Sequence, residues 1–126
     1  MDAHRAIPNP VVLLVEDEPI IRWASADMLT DAGFDVVEAR DADEALSVLR
    51  SRPDVCVLFT DVDMPGSIDG LELARIAHAL WPKLCILVTS GKSAPAPRAL
   101  PEFGRFVGKP YVQEQIVRDI GRLLTA

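Results

Sequence analysis

The sequence has no apolar stretch long enough to cross a bilayer. Its longest apolar runs, such as residues 11–15 and 55–59, fall far short of the roughly 20 residues that a membrane helix needs. The N-terminal residues 1–10 also lack the apolar centre of a signal peptide. We therefore expect a cytoplasmic protein with no membrane partner.

Cysteine and positive charge are also scarce. The two cysteines, Cys56 and Cys85, each stand inside an apolar run, where a thiol usually behaves as a small buried hydrophobe. A reducing compartment also disfavours a disulfide between them. The net charge is −6, and no cluster of Lys and Arg alternates with aromatic residues, so we expect no direct binding to nucleic acid.

The chain length of 126 residues fits one compact domain. Apolar residues make up 49% of the chain and charged residues 25%, which is typical of a globular protein rather than a disordered one. We expect residues 1–10 to form a flexible tail and residues 11–126 to form the domain.

Five short segments have the pattern of β-strands. The first, residues 11–15, is a continuous Val-rich run of the kind found in parallel strands that are buried on both faces, and Glu16 and Asp17 end it. The other strands are predicted at residues 35–39, 55–60, 84–89 and 105–108.

Helical patterns separate most of these strands. Pro19 suits the first turn of the first helix, whose predicted apolar face is Ile21, Ala24, Met28 and Ala32. Capping-box pairs open the second helix at Asp41 and Glu44 and the third at Asp69 and Glu72. The predicted apolar face of the closing helix is Val112, Ile116, Val117, Ile120, Leu123 and Leu124.

Prolines interrupt this alternation once. Pro95, Pro97 and Pro101 fall between the fourth and fifth strands, and a proline inside a helix costs about 3 kcal/mol. We therefore expect the helix there, over residues 93–101, to be short or irregular. Strands that alternate with helices imply a parallel sheet covered on both faces, with a site at the carboxyl ends of the strands.

Polar residues end or follow four of the predicted strands. They are Glu16, Asp17, Asp61, Thr89 and Lys109. Because parallel strands share one carboxyl edge, these side chains should converge, and three carboxylates there would repel one another unless a cation supplied the counter-charge. The ligands are all oxygen atoms, so Mg²⁺ fits this site better than zinc.

This set of residues suits phosphoryl transfer, which needs an in-line nucleophile and groups that neutralise charge. Asp61 is the predicted nucleophile and would form an aspartyl phosphate. The acidic pair after the first strand would hold the metal with it. Lys109 would pair with a phosphoryl oxygen, and the hydroxyl of Thr89, or alternatively of Ser90, would donate to another.

The segments VVLLVEDEP, LFTDVDMPG, ILVTSG and FVGKPY, in this order across residues 11–125, resemble response-regulator receiver domains of two-component signalling. The resemblance implies a flavodoxin-like, three-layer α/β sandwich with a five-stranded parallel sheet in the order 2-1-3-4-5. It implies phosphorylation of Asp61 by a sensor histidine kinase or a histidine phosphotransfer protein. It also implies Mg²⁺ held by Glu16, Asp17, Asp61 and the backbone carbonyl of Asp63.

The resemblance further implies a switch in which Thr89 and Phe106 move together, and a cis bond between Lys109 and Pro110. Phe106 lacks the hydroxyl of the commoner Tyr, so the switch is expected to be weaker or read differently. The loop MPGSIDG is one residue longer than is usual, and the proline-rich segment puts the familiar dimer face in doubt.

A partner surface is expected at Ile20, Trp23, Pro110 and Tyr111. Trp23 suggests this surface because it lies off the predicted apolar face of the first helix. If the chain is complete, it has no DNA-binding output domain and would act through an unknown downstream protein, as a monomer or weak dimer. If it was excised, it could be the receiver part of a hybrid kinase.

Three functions compete. The first is a phosphorylation-controlled interaction module, which catalyses only its own phosphorylation and dephosphorylation. The second is a haloacid-dehalogenase-type phosphatase, suggested by the DxD pattern of Asp61 and Asp63, although the chain has no cap insertion and Glu16 and Asp17 would lack a role. The third is a pseudo-receiver that binds partners constitutively.

Overall fold

A computed structural model describes residues 9–64, 66, 68–91 and 104–125. Over these residues the elements are β1 (Val11–Val15), α1 (Pro19–Asp31), β2 (Asp35–Ala39), α2 (Ala42–Ser51), β3 (Val55–Asp61), α3 (Gly70–Leu80), β4 (Cys85–Ser90), β5 (Gly104–Gly108) and α4 (Gln113–Thr125). The predicted irregular helix over residues 93–101 and most of the predicted tail lie outside the described residues. None of the described helices is both long and apolar enough to cross a membrane.

The strands form one parallel sheet in the order β2-β1-β3-β4-β5, as the resemblance implied. The strand register places residues that are distant in the chain side by side, with Val15 beside Thr60 and Asp61 beside Thr89. Every strand therefore ends at the same edge of the sheet.

Helices cover both faces of this sheet. One apolar layer lies under α2 and α3 and includes Leu13, Leu58 and Leu73. The other lies under α1 and α4 and includes Leu29, Phe59, Ile116 and Ile120. The sandwich of three layers is confirmed, and β1 is buried along its whole length, as its continuous apolar run predicted.

The two predicted capping pairs begin their helices, with Asp41 and Asp69 as the N-cap residues. The Asp41 carboxylate accepts from the Glu44 N–H at 2.8 Å, and the Glu44 carboxylate accepts from the Arg40 N–H at 2.8 Å. The Asp69 carboxylate accepts from the Glu72 N–H at 3.0 Å. The bonds from the Glu44 and Glu72 N–H groups satisfy donors that the first turn of a helix leaves without partners.

The predicted apolar face of α1 is wrong at Ile21 and Ala24 and confirmed at Met28 and Ala32, which are half-buried and pack against the core. The helix buries Ser25, Ala26 and Leu29, whereas Ile21 is 38% exposed and Ala24 is exposed. Apolar side chains surround much of this helix, so their spacing did not select one face. The inner face is instead marked by a serine, whose hydroxyl has a partner inside the protein, the Tyr111 hydroxyl.

The predicted face of α4 is confirmed at Ile116, Val117, Ile120 and Leu123, which are buried or pack against the core, and wrong at Val112 and Leu124. Ile116 and Ile120 are fully buried against the sheet. Val112, just before the helix, and Leu124, near its end, are exposed.

Gly70 marks a close approach between α3 and the end of β3. Its N–H donates to the Val62 carbonyl at 3.0 Å, and a Cβ atom at this position would overlap the backbone carbonyl of Asp61. A residue with no side chain is therefore required where the helix meets this end of the strand.

We predict that Gly70→Ala lowers the free energy of unfolding by about 1–3 kcal/mol, because the new methyl group must displace backbone rather than a flexible side chain. Gly121→Ala is the matched control: it lies on α4 with open space around it, so helix propensity should make it neutral or stabilising by up to about 1 kcal/mol. Urea denaturation measures both. Equal effects of the two variants would contradict the close approach.

Candidate functional site

The carboxyl ends of four strands supply the candidate site. Glu16 and Asp17 follow β1, Asp61 ends β3, Thr89 lies at the end of β4, and Lys109 follows β5. The structure therefore brings together all five residues that the sequence analysis selected.

The three carboxylates form a compact cluster. One oxygen atom from each of Glu16, Asp17 and Asp61 lies within 4.8 Å of the others. Glu16 is 3% exposed and Asp61 is 5% exposed, whereas Asp17 is half-buried. This oxygen-only donor set, open to solvent at Asp17, has the chemistry and spacing for Mg²⁺.

Lys109 provides the counter-charge inside the protein. Its Nζ atom lies 3.0 Å from Asp61 Oδ2 and 3.3 Å from Glu16 Oε1. Burial alone would lower the pKa of Lys109, but the hydrogen bonds and negative charges of Asp61 and Glu16 outweigh it, and the pKa is raised. The side chain is therefore a stable ammonium group aimed at the acidic cluster.

Glu16 is held in place by its own turn and by α1. Its carboxylate accepts from the Glu18 N–H at 3.1 Å, and its backbone carbonyl accepts from the Arg22 guanidinium at 2.9 Å. Burial raises the pKa of Glu16, and the nearby charge of Asp61 adds to this effect, against the opposing backbone hydrogen bond and Lys109. The acidic pair thus contains one carboxylate whose charge is costly until a cation arrives.

The two candidate hydroxyl donors differ in their contacts. Ser90 Oγ donates to the Asp63 carboxylate at 2.6 Å, and the Asp63 N–H donates to Asp61 Oδ1 at 3.1 Å. The Thr89 hydroxyl is buried and has no hydrogen-bond partner among the described residues. A buried hydroxyl beside Asp61 that lacks a partner favours Thr89 as the donor to a bound anion.

The predicted switch and partner residues lie around this site. Phe106 is half-buried and pairs in register with Val88, next to Thr89. Ile20 is 81% exposed and Trp23 is 69% exposed on α1, and Pro110 is also exposed. The bond between Lys109 and Pro110 is cis, as the resemblance implied. Tyr111, in contrast, is half-buried, and its ring packs against Phe59.

Sequence reasoning missed three residues that shape the site. Gly70 lies against the backbone of Asp61, and Arg22 bonds to the backbone of Glu16. Ser25 bonds to the hydroxyl of Tyr111. The position of Gly70 directly after the capping residue Asp69, at the start of a helix, was an available signal. Nothing in the local pattern pointed to Arg22 or Ser25, because their partners lie on other elements.

Comparison with known proteins agrees with this geometry. The family model described as response regulator receiver domain matches residues 12–120. The chain is 31% identical over 118 residues to the response regulator receiver protein CpdR of Brucella abortus, covering 91% of this chain and 97% of CpdR. It is 33% identical over 121 residues to the sensor kinase CckA of the same species, covering 92% of this chain and 13% of CckA.

A solved response regulator receiver protein from Sinorhizobium medicae superposes with a TM-score of 0.86 at 28% identity, covering 94% of this chain and 96% of that one. The chain spans a quarter or less of the length of its longer relatives. The match over residues 12–120 lends no support to the haloacid-dehalogenase alternative and identifies no conventional enzyme. The chain belongs to the response regulator receiver domain family.

Proposed function

We propose that Asp61 accepts a phosphoryl group from a phosphohistidine and that this modification switches a protein-interaction surface. One observation carries the proposal: the Asp61 carboxylate lies 3.0 Å from the Lys109 ammonium and has an oxygen atom within 4.8 Å of oxygen atoms of both Glu16 and Asp17. A nucleophile in this position has a positive charge beside it and shares its surroundings with ligands for a metal ion.

The proposed reaction is an in-line displacement. A carboxylate oxygen of Asp61 forms a bond to phosphorus while the bond between phosphorus and the donor imidazole nitrogen breaks, and the electron pair leaves with the imidazole. Lys109 turns its ammonium group from the carboxylates to a phosphoryl oxygen. The Thr89 hydroxyl, which has no partner among the described residues, donates to another. Water later attacks the same phosphorus to restore the free carboxylate, so the domain promotes both steps of its own cycle.

The residues that would hold Mg²⁺ are Glu16, Asp17 and Asp61, with the backbone carbonyl of Asp63. The ion would supply positive charge to the phosphoryl oxygens. The chain itself supplies the spacing of the ligands and the burial that keeps bulk water away from Glu16 and Asp61.

The proposed switch joins Thr89 to Phe106. Movement of the Thr89 hydroxyl toward the phosphoryl group leaves space beside β5, and Phe106, half-buried against the core next to Val88, is placed to follow. Phosphorylation at Asp61 would thereby reshape the surface near β5.

The proposed donor is a sensor histidine kinase or a histidine phosphotransfer protein, in keeping with the likeness to the sensor kinase CckA. The donor docks on Ile20, Trp23 and Pro110, which are exposed beside the site. The proposal also includes a cytoplasmic location and an unknown downstream protein. It further includes a monomeric or weakly dimeric state and no direct contact with nucleic acid.

We predict that a small acyl phosphate labels the protein once per chain in the presence of Mg²⁺, and that Asp61→Asn abolishes the labelling because it removes the nucleophile. Intact-protein mass spectrometry measures the added mass. Asp31→Asn, an exposed aspartate at the end of α1, should be labelled like the wild type. An unlabelled wild type would favour the pseudo-receiver, and steady turnover of a phosphomonoester would favour the phosphatase.

We predict that Glu16→Gln changes the free energy of unfolding in opposite directions with and without Mg²⁺. The pKa of Glu16 is raised in the folded protein. At pH values between the ordinary and the raised pKa, the folded protein therefore binds more protons than the unfolded chain. The free energy of unfolding of the metal-free protein must then fall as the pH rises through that window. Glu16→Gln removes this loss and should be more stable than the wild type at neutral pH without metal.

With Mg²⁺ the order should reverse, because ion binding stabilises only the protein that keeps its ligand. Urea denaturation in chelator and in Mg²⁺, at several pH values, measures both effects, and Glu114→Gln on the exposed part of α4 is the control. If Mg²⁺ stabilises Glu16→Gln and the wild type equally, Glu16 is not a ligand of the metal ion.

We predict that Trp23→Ala slows phosphoryl transfer from a phosphorylated histidine phosphotransfer protein by about tenfold, because a truncated interface tryptophan commonly costs more than 1 kcal/mol. Labelling by the small acyl phosphate should not change, since that donor needs no docking surface. Leu80→Ala, an exposed apolar residue at the end of α3, is the matched control. If Trp23→Ala slows both donors equally, α1 is not the docking face.

A further inference from the structure

A hydrogen bond between two hydroxyl groups connects α1 to the segment that follows β5. Ser25 Oγ and Tyr111 Oη lie 2.8 Å apart, although the residues are 86 positions apart in the chain. Ser25 is buried, and burial raises the pKa of Tyr111, so the phenol stays protonated and able to bond. The proposed phosphoryl transfer gives no role to either hydroxyl.

This hydrogen bond fixes the chain directly after Lys109. The Lys109 N–H donates to the Ser90 carbonyl at 2.9 Å, which holds the backbone of Lys109 itself against β4. Two residues later, Tyr111 is held twice: its hydroxyl bonds to Ser25, and its ring packs tilted against Phe59 with centroids 5.6 Å apart. Phe59 precedes Asp61 by two positions on β3, so both side chains lie on the same face of the sheet.

The same helix also holds the other partner of Lys109. One turn before Ser25, the Arg22 guanidinium donates to the Glu16 carbonyl at 2.9 Å and to the Glu38 carboxylate at 3.3 Å. Residues separated by three positions are neighbours on a helix surface. Helix α1 thus contacts both the turn that carries Glu16 and the segment that carries Lys109.

We propose that Ser25 and the Tyr111 hydroxyl are positioning residues that set where the Lys109 ammonium lies relative to Asp61. This inference rests on the proposed function. A lysine side chain has many rotamers, and its Nζ reaches a fixed point only if the backbone that carries it is fixed. Phosphoryl transfer depends on such positioning, and small displacements of a charged group slow it steeply.

The test compares Tyr111→Phe, Ser25→Ala and the double variant. Tyr111→Phe keeps the ring against Phe59 and removes only the hydroxyl, so the fold is retained. We expect the limiting rate of Mg²⁺-dependent labelling by a small acyl phosphate to fall about tenfold in each single variant. The double variant should be no slower than the singles, because both remove the same bond. Ser51→Ala, whose exposed hydroxyl bonds only within α2, is the matched control and should label like the wild type.

Two further readouts separate positioning from general damage. The dissociation constant for Mg²⁺, measured by calorimetry, should not rise, because the metal ligands lie on other segments and a displaced ammonium group would repel the ion less. The NMR chemical shift of Lys109 Cε, measured without metal or phosphoryl donor, should change in Tyr111→Phe and stay the same in Ser51→Ala. Raman spectroscopy of the single tyrosine of the chain should report loss of its hydrogen bond in Ser25→Ala.

An unchanged labelling rate and an unchanged Lys109 resonance in Tyr111→Phe would overturn the proposal. A parallel loss of labelling and of Mg²⁺ affinity would also overturn it, since that pattern is the one expected of a merely structural role. If the wild type is not labelled and yet the Lys109 resonance moves, the proposed function fails while the positioning role stands.

Discussion

The contact between the Lys109 ammonium and the carboxylates of Asp61 and Glu16 is the interaction on which the rest of the site depends. Both carboxylates are largely buried and have therefore lost hydration. Without the ammonium group within hydrogen-bond distance, their mutual repulsion would have no counter-charge. Lys109 thus offsets part of the repulsion within this acidic cluster when no metal ion is bound, although the pKa of Glu16 is still raised by burial. In the proposed function, the same ammonium group moves from the carboxylates to a phosphoryl oxygen without leaving the site.

The sheet makes this contact possible through its order. The order β2-β1-β3-β4-β5 puts β3 in the centre, with β1 and its acidic pair on one side and β4 on the other. Asp61 therefore ends the central strand, with Thr89 level on β4 and Lys109 one strand further, where its long side chain spans the gap. The longest side chain of the site stands farthest from its partners, which explains why a lysine rather than a shorter residue suits that position.

Much of this arrangement could be predicted from the sequence, because it depends on local patterns. Continuous apolar runs indicated β1 and β3, and Asp41 and Asp69 marked two helix starts through bonds that span three residues. The inner face of α1 could not be predicted, because Ser25 is buried through a bond to Tyr111 at the far end of the chain. The choice between Thr89 and Ser90 likewise needed the contact of Ser90 with Asp63, which only the folded sheet creates.

Helix α1 combines roles that its sequence does not separate. Its outer side carries Ile20 and Trp23, exposed apolar residues three positions apart, and its inner side carries Arg22 and Ser25, also three positions apart. A protein that docks on the outer side therefore contacts the element that holds the backbone of Glu16 and the hydroxyl of Tyr111. Because α1 contacts the turn that carries Glu16 and the segment that follows Lys109, a displacement of α1 would act on both partners of this ion pair. This geometry couples the proposed docking face to the two groups that neighbour Asp61, while Asp61 itself is held by β3.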